Sequence, residues 1–153
     1  MISEATIDRT LDRLENDGAE YEAQIRDFAE SQPELMEYLT NEDVEAFTDD
    51  ERDLLLFAAL VIFQAVDDER SGLSEVSGEA ISQAEERNYE IFAASKAPTL
   101  RDWLTPFFEA SDEEELLAFV EDLTLSEDEE NAISAEAREP FFVTLKTVID
   151  VLT

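Results

Sequence analysis

The sequence predicts an all-α protein: a single globular domain over residues 1–153, in which about seven to nine helices surround a buried central helix, Leu54–Val66. Apolar residues recur at intervals of three and four along most of the chain, which is the spacing of one helix face. Only three glycines and four prolines interrupt this pattern. No alternating apolar and polar run is bounded by hairpin turns, so strands are not expected.

The central helix is predicted by ten consecutive apolar residues, Leu54–Phe63. The preceding Thr48-Asp49-Asp50-Glu51 forms a capping-box pattern, in which a Thr hydroxyl and a Glu carboxylate bond reciprocally to backbone amides. A membrane span needs about 20 apolar residues and basic or aromatic flanks. This run is shorter and has acidic flanks, so we expect a buried helix and no membrane association.

Before this helix, glycine, proline and small polar residues divide the chain into short amphipathic segments. Ser3 is a suitable cap for the first helix, and Gly18 suits its end because glycine accepts the left-handed conformation there. Pro33 fits the first turn of a helix. The predicted elements are helices over Glu4–Asn16 and Ala19–Ser31, a short helix from Pro33 with Leu35, Met36 and Leu39, and a turn with Val44 and Phe47.

After the central helix, the Ser- and Gly-rich segment Ser71–Gly78 is predicted to be a loop. A helix over Glu79–Ser95 follows it, and Thr99 caps a helix that Pro106 should kink or split. Capping boxes at Ser111 and Ser126 begin two further helices, the second of which carries Ile133. Pro140 is predicted to open the apolar last helix, which should dock into the core.

The charge of the chain indicates the solvent to which it is adapted. There are 41 acidic and 10 basic residues, giving a net charge of -31. On a globule with a gyration radius of about 15 Å, this charge produces a repulsion of tens of kcal/mol, comparable with or above a normal net stability. Only Lys96 and Lys146 are lysines. This excess of acids with scarce lysine resembles the composition of proteins from organisms with a salty cytoplasm.

Several kinds of chemistry are excluded or disfavoured by composition. The chain has no cysteine and no histidine, so disulfides, thiolate metal sites and Ser-His-Asp triads are impossible. The three glycines lie far apart, so no phosphate-binding loop is present. Because basic residues are few and scattered, direct binding of nucleic acid is not expected. No cofactor or defined metal site is predicted, although acidic runs such as Ser126–Glu130 should attract cations nonspecifically.

Two groups of residues are candidates for function. Trp103, Phe107 and Phe108 surround Pro106, and such aromatic residues form either part of the core or a surface for a protein partner or a second copy. Gln64 interrupts the apolar run, so it lies either at the edge of burial or against an internal pocket, which Asn88 and Tyr89 would also line.

Three functions are compatible with these features. The first is a non-catalytic helical domain of a salt-adapted cytoplasm that acts through protein–protein contact. The second is an acidic DNA mimic that occupies the basic groove of a nucleic-acid-binding protein. The third is an enzyme that uses paired carboxylates in an internal pocket. The first residues lack a basic start and an apolar segment, so a cytoplasmic location is expected.

Overall fold

The computed structural model describes residues 2–16, 18–40, 47–70, 73–94, 100–110, 113–124 and 135–153. These residues form eight α-helices and no strand, which confirms the all-α prediction. The helices are α1 (Glu4–Asn16), α2 (Gly18–Ser31), α3 (Pro33–Leu39), α4 (Asp49–Glu69), α5 (Gly78–Ala94), α6 (Leu100–Ala110), α7 (Glu114–Thr124) and α8 (Ala135–Leu152).

The predicted boundaries of α1, α2 and α5 and the predicted start of α3 agree with the structure to within one residue. The capping box of α4 is present: the Thr48 amide donates to Glu51 Oε1 at 2.8 Å, and the Glu51 amide donates to Thr48 Oγ1 at 3.2 Å. The predicted caps at Thr99, Ser111 and Ser126, the turn at Val44 and the helix at Ile133 lie outside the described residues.

Two prolines lie inside helices: Pro106, which was expected to kink or split a helix, and Pro140, which was expected to open one. Helix α6 runs without a break through Pro106, and α8 begins at Ala135, five residues before the predicted opening at Pro140. An interior proline removes one backbone donor at a cost of about 3 kcal/mol or more. The aromatic residues that follow each proline, Phe107 and Phe141, are fully buried, and this burial offsets the cost.

Helix α4 lies at the centre of the bundle, as predicted, and packs against α1, α2 and α8. Helix α8 shares this central place, since it also contacts α5 and α7. A hydrophobic cluster runs through these helices and includes Leu60, Ile62 and Ile149, all fully buried. None of the helices in the described ranges has the length and apolar character that a membrane crossing requires.

Two residues, Gln32 and Glu113, fix non-helical segments to the bundle through long-range hydrogen bonds. Gln32, between α2 and α3, donates from Nε2 to the Ser74 carbonyl at 2.9 Å and accepts at Oε1 from the Val76 amide at 2.7 Å. Glu113, just before α7, accepts at Oε2 from the Ile2 amide at 2.9 Å and at Oε1 from Arg70 Nη2 at 3.2 Å. Glu113 therefore connects Ile2 and the C-terminal end of α4 to the beginning of α7.

Candidate functional site

The aromatic group around Pro106 contributes to the core. Phe107 is fully buried, and its ring centroid lies 5.1 Å from that of Phe142 and 6.4 Å from that of Phe92. Phe108 is half-buried and packs against the hydrophobic cluster. Trp103 belongs to α6, but its side chain lies outside the described part of the chain. Its role in an interface therefore stays a prediction.

Gln64 joins three helices. It is 6% exposed, accepts from Arg13 Nη2 of α1 at 2.7 Å, and donates through Nε2 to Gln24 Oε1 of α2. Both ends of this buried amide are thus bonded within the protein. The arrangement indicates a structural role at the meeting point of α1, α2 and α4.

Asn88 belongs to a second buried polar group, between α5 and α8. Its Nδ2 donates to Thr147 Oγ1 at 3.2 Å and to Asp150 Oδ2 at 3.0 Å. Asp150 also accepts from Lys146 Nζ at 2.5 Å, and the Lys146 side chain is 7% exposed. A buried ammonium is normally paired, and this pair satisfies that requirement.

Tyr89 lies elsewhere, at the rim of a cleft that is bounded by α3, the start of α4, α5 and α8. It is 37% exposed. The cleft holds a cavity of about 240 Å³, and a second groove beside it shares Tyr38, Ile81 and Ser82. The cavity is lined by Tyr38, Leu39, Phe47, Arg52, Leu55, Ile81, Ser82, Glu85, Tyr89, Pro140 and Thr144. Of the three predicted pocket residues, Tyr89 alone lines this cavity.

Tyr38 has the most strongly raised pKa of the tyrosines in this cleft. Its Oη is buried, and the side chains of Glu85, Thr144 and Thr147 are close enough to interact with it, although none of them meets strict hydrogen-bond geometry. Burial raises the pKa of Tyr38 far above its ordinary value of 10.0, and the neighbouring Glu85 raises it further, while Thr144 and Thr147 act in the opposite direction. The hydroxyl therefore stays protonated and can both donate and accept a hydrogen bond.

The carboxylate of Glu85 contributes to the raised pKa of both Tyr38 and Tyr89. Burial raises the pKa of Tyr89, and the carboxylates of Glu85 and then Glu139 raise it further. Both hydroxyls therefore lie near carboxylates that disfavour their ionisation. In the described part of the chain, no group of three or more acidic side chains has the arrangement of a metal site.

Sequence reasoning did not identify Tyr38 and Glu85 as site residues. A signal existed for Glu85, because it lies four residues from both Ile81 and Tyr89 and so shares their face of α5. No comparable signal marks Tyr38, whose position depends on how α3 packs against α5.

The comparisons with known proteins give no match to this fold and cleft: no family model, no curated protein and no solved structure is significantly similar to the chain.

Proposed function

We propose that the chain is a non-catalytic helical domain of a salt-rich cytoplasm and that it acts through protein–protein contact. The observation that carries this proposal is the placement of the carboxylates. Among the described residues, Glu51 and Glu113 are the only buried ones, and both bond to backbone amides at the beginnings of helices or of the chain. The other described carboxylates are exposed or half-exposed and occur on every helix.

Such a distribution is suited to interaction with solvent. Helix α1 illustrates it: Glu4, Asp8, Asp12 and Glu15 are all exposed along one face. Like charges four residues apart destabilise a helix, and salt screens that repulsion. A surface of this kind is compatible with folding in concentrated salt, and the acids of such a domain serve solvation.

The test is far-UV circular dichroism against KCl from about 0.05 M to about 3 M, a range over which the Debye length falls from above 10 Å to below 3 Å. We expect helix content to rise steeply with salt. An equal osmolarity of sucrose serves as the uncharged control, because it stabilises compact states without screening charge. Full helicity and stability at the lowest salt would contradict the proposal and would favour the DNA-mimic function instead.

Protein–protein contact is tested separately through Trp103, which is the only tryptophan. Its fluorescence is measured with increasing acrylamide, since this neutral quencher is not repelled by the acidic surface. Strong quenching in the monomer, lost when a partner or second copy binds, supports an interface at Trp103 and Phe108. A shielded Trp103 at concentrations where sedimentation shows a monomer places it in the core and removes this surface from the proposal.

A further inference from the structure

Four helix ends meet around Arg70, which directly follows α4. Its Nη1 donates to the carbonyl oxygen of Thr153, directly after α8, at 3.2 Å. Its Nη2 donates to Oε1 of Glu113, directly before α7, at 3.2 Å. The segment Ile2–Ser3, which leads into α1, lies against the same place. One arginine side chain therefore connects the end of α8 to the start of α7.

Glu113 continues this connection to the segment Ile2–Ser3. While Oε1 accepts from Arg70, Oε2 accepts from the Ile2 amide at 2.9 Å. Glu69 holds the segment at a second point, since its Oε2 accepts from the Ser3 amide at 2.8 Å. A continuous series of hydrogen bonds thus runs from Thr153 through Arg70 and Glu113 to a segment that is distant in the sequence.

The charges in this series match the helix ends at which they lie. Arg70 is at the C-terminal ends of α4 and α8, where the helix dipole favours a cation, and Glu113 is at the N-terminal ends of α1 and α7, where it favours an anion. The side chain of Arg70 is 42% exposed, and that of Glu113 is 7% exposed. Water can therefore replace the contacts of Arg70 more easily than those of Glu113, so Arg70 is the point at which the series opens.

Both ends of the series border apolar surface. Ile2 is 1% exposed and Leu152 is 5% exposed. A groove of about 380 Å³ lies against the last turn of α8, with residues 73–77 on one side and residues 151–153 on the other. A movement of this last turn therefore changes the width of the groove.

We propose that Arg70 and Glu113 form a latch that couples the segment Ile2–Ser3 to the last turn of α8. When the segment leaves its place, Glu113 loses the Ile2 amide and turns towards water, and Arg70 loses the partner that holds it beside Thr153. The last turn of α8 then opens more often, as a local unfolding event, and the groove beside it widens. Such coupling is reciprocal, so opening of α8 at Thr153 also releases the segment. The latch does not depend on the proposed function, because it involves neither α6 nor the salt response.

The experiment is amide hydrogen exchange measured by NMR at a fixed KCl concentration that keeps the protein folded. Glu69→Ala is the main variant, because Glu69 holds Ser3 and the bond from Arg70 to Thr153 does not involve it. We expect it to speed exchange at Ser3 and also at the Thr153 amide, which bonds to the Ile149 carbonyl at 3.0 Å. The expected increase is about threefold to fivefold, as for loss of an exposed ionic contact. Asp68→Ala removes the same charge from an exposed neighbour and should change neither amide.

A second pair of variants tests whether the coupling passes through the latch. Arg70→Met keeps the apolar stem but removes the donors, and it should speed exchange at Ile2 and Thr153 by about threefold to fivefold. Arg87→Met, the same change at an exposed position of α5, should alter neither amide. When Glu69→Ala is added to Arg70→Met, it should no longer affect Thr153, because the connection is already broken. The amide of Leu60, in the centre of α4, reports global opening and should not change.

Three results would overturn the proposal. An effect of Glu69→Ala that is confined to Ile2 and Ser3 would show that the two segments open separately. An equal effect on Thr153 with and without Arg70→Met would show that the coupling takes another route. An equal increase at Leu60 would show that the variants lower global stability and do not act on a latch.

Discussion

Replacing Glu113 by alanine tests whether the contacts at the start of the chain stabilise the fold. Glu113 is 5% exposed, and Ile2, whose amide it accepts, is 1% exposed. A buried donor left without an acceptor costs about 1–3 kcal/mol. The Arg70 side chain is 42% exposed, so its ion pair with Glu113 adds at most about 1 kcal/mol. The free energy of unfolding should therefore fall by about 1–4 kcal/mol.

The assay is urea unfolding followed by circular dichroism in concentrated KCl. With an m value of about 2 kcal/mol/M, the expected loss lowers the midpoint by about 0.5–2 M urea. Glu114→Ala is the matched control, because Glu114 is an exposed acid in the first turn of α7, and its loss costs about 0.3–1 kcal/mol before screening. If the two variants unfold within about 0.5 kcal/mol of each other, the calculation for Glu113 is wrong.

Three further predictions concern the core, the tyrosines and the surface. Leu60→Ala should reduce the free energy of unfolding by about 2–5 kcal/mol in the same urea assay, because Leu60 is fully buried, and Leu54→Ala should cost less. The pKa of Tyr38 is higher in the folded state than its ordinary value of 10.0. The contribution of protonated Tyr38 to the stability of the fold is therefore complete below pH 10.0 and is lost as the pH rises towards the folded pKa. Urea midpoints measured across alkaline pH should therefore fall less in Tyr38→Phe, and an equal fall in both proteins would contradict this. The double change Asp8→Asn and Asp12→Asn should lower the KCl concentration at which helix content is half-maximal, and an unchanged value would show that the α1 face does not limit folding.

Much of the fold could be predicted from local signals. The box at Thr48 and the position of Pro33 mark helix ends through backbone chemistry that acts within a few residues. Gly18 lies at the predicted junction but is the first residue of α2, and it does not adopt the left-handed conformation that was expected of it. The prediction that a helix begins at Pro140 was wrong, because the cost of an interior proline is local whereas the burial of Phe141 depends on other helices. Pro106 likewise does not split α6, in which Phe107 is buried, and a kink there stays a prediction. The single-domain interpretation stays a prediction.

The candidate site could be predicted only in part, because four separate segments form it. Tyr89 was expected to line an internal pocket with Gln64 and Asn88, and it lies exposed at the rim of a cleft that the other two do not line, so its role as a site residue stays a prediction. Gln64 and Asn88 instead bond to side chains of other helices. Gln64 bonds to Arg13 and Gln24. Asn88 bonds to Thr147 and Asp150. A polar residue on an inward face indicates that a partner is needed, but it does not indicate whether that partner is protein or ligand.

The shape of the salt response distinguishes two causes that both favour folding in concentrated KCl. Screening is largely complete at about 1 M, where the Debye length is already about 3 Å. If helix content reaches its limit there, repulsion among the surface carboxylates is the term that salt removes. If it continues to rise towards about 3 M, a further effect acts, such as stronger burial of apolar surface or association of cations with carboxylates. The Asp8→Asn and Asp12→Asn variant separates these effects, because it changes repulsion without altering the core. If this variant changes helix content only at low KCl, the rise in helix content at low salt is due to repulsion among the carboxylates of α1 and their like-charged neighbours.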